Sequence, residues 1–177
     1  TDVPGVDPTT NDYNWFAGVT PTLLADEINL DSDPKQIEMM LRTSRLVKGW
    51  ANRRVPALLG AEPGTEAEQL LNSRSGRIHL FPAIPPELTI AFRDLQARGG
   101  FEVSAERVNG EVTFLQIRSR RDVECRLMNP WPGRKVVVRM IPDGSAVPHR
   151  MDNENGECIR FAAHKDNVYA ISTAEKQ

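Results

Sequence analysis

The sequence has 177 residues, of which 22 are Lys or Arg and 24 are Asp or Glu, for a formal net charge of −2 at pH 7. That length holds one domain, or one domain and part of a second, and the composition is that of a chain with a packed core. So balanced a charge excludes a partner held by bulk electrostatics, such as DNA, RNA or an anionic membrane surface, and no apolar run approaches bilayer length.

The first residues, Thr1 to Trp15, have neither a charged n-region nor an apolar h-region and do not read as a signal peptide. The chain begins without Met, which points to a processed chain or a fragment. Residues 1–33 are rich in Pro, Asp, Asn and Thr and read as loop, with a short helix around Thr22–Ile28. Asp33-Pro34 then opens a helix, with an acid at the N-cap and Pro at the first helical position. Ile37, Met40, Leu41, Leu46 and Val47 recur at helical spacing to about Trp50. The stretch ANRRVPALLGAEPG reads as a broken connection, and Thr65 with Glu68 fits a capping box for a helix over Glu66–Asn72, ended by Ser75-Gly76. These helical residues are too few for a core of their own.

After residue 76 the character changes. RIHLFPAIP is a short apolar strand stopped by Pro82, Pro85 and Pro86, and Phe92–Ala97 reads as helix or turn. Gly99-Gly100 opens a run of strands. FEVSAERV sets Phe101, Val103 and Ala105 against Glu102, Ser104 and Glu106, and Asn109-Gly110 follows, the strongest two-residue hairpin signal. EVTFLQIRS, VECRLMN and RKVVVRMI continue the pattern, separated by NPWPG and Pro142-Asp143-Gly144, and CIRFAAH and NVYAIS close as a last hairpin across Lys165-Asp166. Regularly spaced short strands predict an antiparallel β-sandwich preceded by a short α-helical segment, with a division into 1–76 and 77–177.

The chemistry-bearing residues are scattered. Cys125 and Cys158 fall in separate strands outside any C-x-x-C pair and read as buried free thiols. His79, His149 and His164 are too widely spaced for a metal site, and DNENGE at Asp152–Glu157 lacks the calcium-loop spacing and reads as an acidic hairpin loop. No phosphate loop, dinucleotide fingerprint or nucleophile elbow appears, so no cofactor is expected. Arg118, Arg120 and Arg121 read as a solvated strand end that discourages sheet-to-sheet pairing.

The segments EQLLNSRSGRIHLFPAIP, FRDLQARGGFEVSAERVNGEVTFLQIRS and CRLMNPWPG, together spanning roughly Glu68 to Ile141, resemble the C-terminal region of family 95 glycoside hydrolases, the α-L-fucosidase and α-L-galactosidase group, or of a related branch of (α/α)6-barrel glycosidases. In that family a last barrel helix leads into an I-x-L-x-P-A-x-P strand and then into the sandwich. The resemblance implies that residues 1–76 are the end of a barrel-like catalytic domain, that the sandwich supports and packs on that upstream barrel, and that carbohydrate is met through the parent enzyme. A secreted or periplasmic parent is the corresponding expectation, although the two cysteines leave compartment open.

One departure matters. The family's D-G-N-F-G stretch, whose Asp helps activate the water, falls here on Ala57, which has no proton acceptor; the general acid and its Asn companions lie upstream without a counterpart. An inverting glycosidase needs an acid and a base roughly 6.5–9.5 Å apart. Glu62, Glu66 and Glu68 are the acids in the right region. Glu66 and Glu68 point to different faces of a helix, which leaves Glu62, in a Gly/Pro loop, as the catalytic candidate against the plainer reading of a solvated acid. Trp131 in NPWPG is the candidate carbohydrate contact, against the plainer reading of a cap on the core. Trp15 and Trp50 are ambiguous in the same way. The chain alone is expected to be inactive. The competing reading is a stand-alone carbohydrate-binding or structural sandwich without catalysis; a binding module would need a row of exposed aromatics, and the aromatic content is low at 6%.

Overall fold

The structure, a computed structural model, describes residues 17–23, 25–47, 51–61, 67–153 and 156–174. A 3₁₀ turn at Ala17–Val19 runs into α1 (Thr20–Leu23). The Asp33-Pro34 signal acts as expected: the Asp33 carboxylate accepts from the Lys35 amide at 2.7 Å and α2 spans Pro34–Ser44. It stops earlier than the periodicity predicts, and Trp50 lies outside the described residues. The supposed broken connection is helical, α3 (Ala51–Leu58), with Pro56 inside it. Of the expected helix over Glu66–Asn72, Glu66 and the capping Thr65 lie outside the described residues and the described part is one turn, α4 (Ala67–Leu70); the chain then extends as β1 (Leu71–Asn72), which pairs antiparallel with β2 (His79–Leu80). Asn72 explains the switch. Its side-chain amide donates to the Leu58 carbonyl at 3.3 Å, and its carboxamide oxygen accepts from the Arg74 amide at 3.0 Å, competing with a further helical turn.

The main fold is an antiparallel sandwich. One sheet has five strands in the order β3 (Ile90–Ala97), β4 (Phe101–Val108), β5 (Glu111–Ser119), β10 (Val168–Thr173), β7 (Val136–Ile141). The other has three, β6 (Val123–Met128), β9 (Cys158–Ala163), β8 (His149–Asp152). The Asn109-Gly110 hairpin joins β4 to β5, with both residues at positive φ, 49° and 82°, as a type I′ turn requires.

Two expectations fail here for physical reasons. Phe92–Ala97 belongs to strand β3: a bulge between Phe92 and Leu95, with Asp94 at φ 53°, separates two inward apolar residues by three positions and so imitates helical spacing. The last two strands are not a hairpin either. β9 lies in the three-stranded sheet, while β10 crosses to the other and pairs with β5 and β7. The turn between them is tied to the end of β5, where the Ser119 carbonyl accepts from the Asp166 amide and the Ser119 amide donates to Asn167.

The core lies between the sheets. Phe101, Val103, Ile117, Val138 and Tyr169 on one side meet Cys125, Leu127, Ile159 and Phe161 on the other. Phe161 and Tyr169 touch across it with ring centroids 5.0 Å apart. Against expectation, the helical residues have an apolar cluster of their own, made of Val19, Ile28, Met40, Val55, Leu58 and Leu59, with Ile37, Leu41 and Val47 packed around it. α1 and α2 both meet α3 around it, leaving Met39 and Leu46 exposed. Leu70 and Leu71 pack instead against the sandwich core.

Candidate functional site

Glu62, Glu66, Trp15 and Trp50 lie outside the described residues. Ala57 is buried in α3. Glu68 is half-buried and its carboxylate is held by Arg54 at 2.5 Å. Gly60 and Ala61, just before Glu62, form one wall of an open cleft of about 300 Å³ whose other wall is Pro82–Pro86. Its described lining is backbone and apolar side chains, with no carboxylate among the described residues.

Trp131 sits inside the sandwich at 5% exposure, so it offers no ring face to a sugar. The indole N–H donates to the Val112 carbonyl at 2.9 Å. The NPWPG turn around it is built from within. The Asn129 carboxamide oxygen accepts from the Trp131 amide at 3.0 Å, and its amide donates to Glu157 at 2.7 Å. Glu157 also accepts from the Gly133 amide at 3.0 Å. An Asn at the turn start and a carboxylate from the facing loop thus satisfy the donors of a buried reversal.

Arg107 is the functional-looking group that the sequence reading passes over. It is 7% exposed, donates to the carbonyls of Ile84 at 3.0 Å and Pro85 at 2.5 Å, and stacks over Phe81 at 4.9 Å. Its Nε has no hydrogen-bond partner. Burial pulls its pKa below that of an ordinary arginine, and the charge of Glu87 partly opposes the shift. The signal was legible, since Arg107 continues the inward series Phe101, Val103, Ala105. Its effect is to fasten the Pro-rich segment that forms one wall of the cleft.

Asp31, His79 and Ser75 come together from distant parts of the chain, but they are not a nucleophilic triad. Ser75 Oγ lies 3.5 Å and Asp31 3.3 Å from the same imidazole nitrogen, Nε2. A triad needs the acid and the nucleophile on opposite ring nitrogens. Burial opposes ionisation of Asp31; hydrogen bonds from His79 and Ser75 and the charge of Arg77 outweigh it and hold the carboxyl below its usual range. His149 sits between the Val136 and Val147 carbonyls and His164 against Asp122. Among the described residues no group of three His, Cys, Asp or Glu is placed to hold a metal ion. Cys125 and Cys158 are buried free thiols, and burial raises the pKa of both.

Among the described residues Phe114 is the one exposed aromatic, at 38%, and Arg93 covers its ring at 4.9 Å. The polar faces are closed on themselves as well. Arg126, Arg160 and Arg150 stand side by side across β6, β9 and β8. All three donate to Glu124, and Arg160 also to Asp152.

The fold and these contacts define the class of protein first: an antiparallel β-sandwich whose side chains brace its own loops, joined to a small helical segment. The chain belongs to glycoside hydrolase family 95, since residues 72–171, more than half of it, match the model of the glycoside hydrolase family 95 C-terminal domain. No curated protein matches the chain. The match begins at β1 and ends within β10, so it takes in both sheets and leaves out the helical cluster.

Proposed function

We propose that this chain is the C-terminal part of an α-L-fucosidase-like hydrolase, in which the sandwich supports an upstream catalytic barrel and residues 1–76 are the end of that barrel. The family match over residues 72–171 carries the reading. Two further observations support a bracing role over a sugar-binding one: Trp131 spends its indole N–H on the backbone, and Phe114 lies under a guanidinium, so no aromatic row offers a stacking platform among the described residues. Ala57 in place of the expected acid fits a chain whose chemistry is supplied from upstream.

The test is hydrolysis of an aryl α-L-fucoside by three proteins: the whole enzyme, the same enzyme lacking 72–177, and this chain alone. The whole enzyme is expected to be active, the truncated enzyme to lose activity and thermal stability, and this chain to stay at the buffer rate. Turnover by the chain alone, abolished by Glu62→Gln, would overturn the assignment. Inactivity of the whole enzyme on fucosides but activity on another glycoside would move the specificity while leaving the bracing role in place.

A further inference from the structure

The apolar cluster of the helices and the core of the sandwich are separate. Beside the bond from Asn72 to Leu58 and the approach of Gly60 to Pro82, ion pairs join the two regions at the loop Ala25–Asp33. Asp26, at the end of α1, is clamped between Arg74 and Arg98, the latter at 2.5 Å. Asp31 meets His79 at 3.3 Å and Arg77 at 3.8 Å, with Ser75 as a further donor. Both carboxylates are largely withdrawn from water, with side-chain exposures of 17% and 13%. The loop is shaped for this: Asn29 donates to the Asp26 carbonyl at 2.9 Å and accepts from the Asp31 amide at 2.9 Å, and Asp26 itself adopts φ 57°. Asp is one of the few residues that tolerate that conformation.

The thiol of Cys158 reports on this loop. Along β9, Ile159, Phe161 and Ala163 alternate into the core, so Cys158 belongs to the opposite, outer face, yet it is 1% exposed. Ile78 is bonded to β6 at Arg126 and Met128, and Met128 is the β6 partner of Cys158, so Arg77 and His79, with the Asp31 they hold, lie beside that end of the sheet. Cys125, by contrast, is sealed between the sheets.

We propose that the loop Ala25–Asp33 is an electrostatic latch: Asp26 and Asp31 hold the helical segment on the sandwich, and neutralising them frees that segment and uncovers Cys158 while the sandwich stays folded. The proposal does not depend on the fucosidase reading.

Thiol labelling of the full chain with 4,4′-dithiodipyridine tests it, with each cysteine's rate divided by its rate in the guanidinium-unfolded chain at the same pH, and the sites assigned by mass spectrometry. A lost charged hydrogen-bond partner shifts a local opening equilibrium by about tenfold or more, so Asp26→Asn and Asp31→Asn are each expected to speed Cys158 about tenfold. Cys125 and the exchange of β4 and β5 amides should not change, and Asp122→Asn, far from the loop, should leave both thiols as they were. The unmodified chain gives the same test should a variant fail to fold. Because the Asp31 pKa is held low, its contribution is complete above the ordinary carboxylate range and is lost as pH falls through the lowered value; Cys158 should open on that fall, ahead of Cys125. Unchanged Cys158 rates in the folded variants, or Cys125 and Cys158 opening together with the β4 and β5 amides, would overturn the latch.

Discussion

The sandwich and the helical segment solve the same problem with different means. The sandwich closes two sheets over a core in which Val103, Ile117, Leu127 and Ile159 are wholly buried, and even its polar turn is folded inward around Trp131. The helical segment gathers short helices around Met40 and Val55 and leaves Met39 and Leu46 at 54% and 57% exposure. Burial scales with the area two surfaces can share, and sheets facing each other share far more than helices of one to three turns. The comparison teaches that the two regions differ in how much of their stability is their own. The sandwich has a large core of its own, whereas the helical segment has a small cluster supplemented by ion pairs to its neighbour.

The largest test of that contrast is Trp131→Ala. Removing a buried indole and its bond to Val112 should cost about 3–5 kcal/mol, read as a large drop in the urea midpoint of the whole chain. A loss below 1 kcal/mol would mean that the turn is peripheral to the core. Met40→Ala comes next, at about 2–3 kcal/mol from the large-to-small range, and its effect should appear as faster amide exchange in α2 and α3 with β4 and β5 unchanged. Equal loss in both regions would erase the distinction between them. Gly110→Ala is smaller. At φ 82° the added Cβ would stand 3.2 Å from the Pro86 carbonyl, and the left-handed conformation alone costs roughly 1–2 kcal/mol, again measured by urea unfolding.

The smallest effect sharpens the comparison on the charged face. The hydrogen bond from Arg160, first among several, holds the Glu124 carboxyl below its usual pKa. A depressed carboxylate stabilises above its unfolded pKa and loses that contribution as pH falls through the folded value. Glu124→Gln should therefore cost no more than about 1 kcal/mol at pH 7, since the pair is partly exposed, and the variant and unmodified curves should converge as pH falls below that lowered value. A difference that persists there would show that Gln perturbs packing and not charge.

Much was legible in the chain itself. Period-2 alternation located β4 and β5, Asn109-Gly110 supplied the positive φ values of their turn, and Asp33-Pro34 set the start of α2 with the N-cap bond it predicts. These are local effects: a residue's backbone preference and the face its neighbours share are properties of a few consecutive positions. The segments that resembled family 95 are likewise contiguous, and the family match confirms them. The failures are of another kind. Whether CIRFAAH and NVYAIS pair with each other depends on which strand edge is free, and β5 and β7 had claimed β10. Phe92 and Leu95 looked helical because a bulge changes period, and a bulge is fixed by the partner strand β4. Trp131 could have faced a ligand or the core from its sequence alone; the Val112 carbonyl, 19 residues away, decided it. Asp26 and Asp31 look like ordinary loop acids until Arg74, Arg77, His79 and Arg98 arrive around them. The sequence by itself determined the regular strands such as β4 and β5, the cap of α2 and the Asn109-Gly110 turn because those energies are short-ranged; the bulge in β3, the sheet order and the ion pairs between regions were decided only by tertiary structure, because each needs a partner that the chain brings close only on folding.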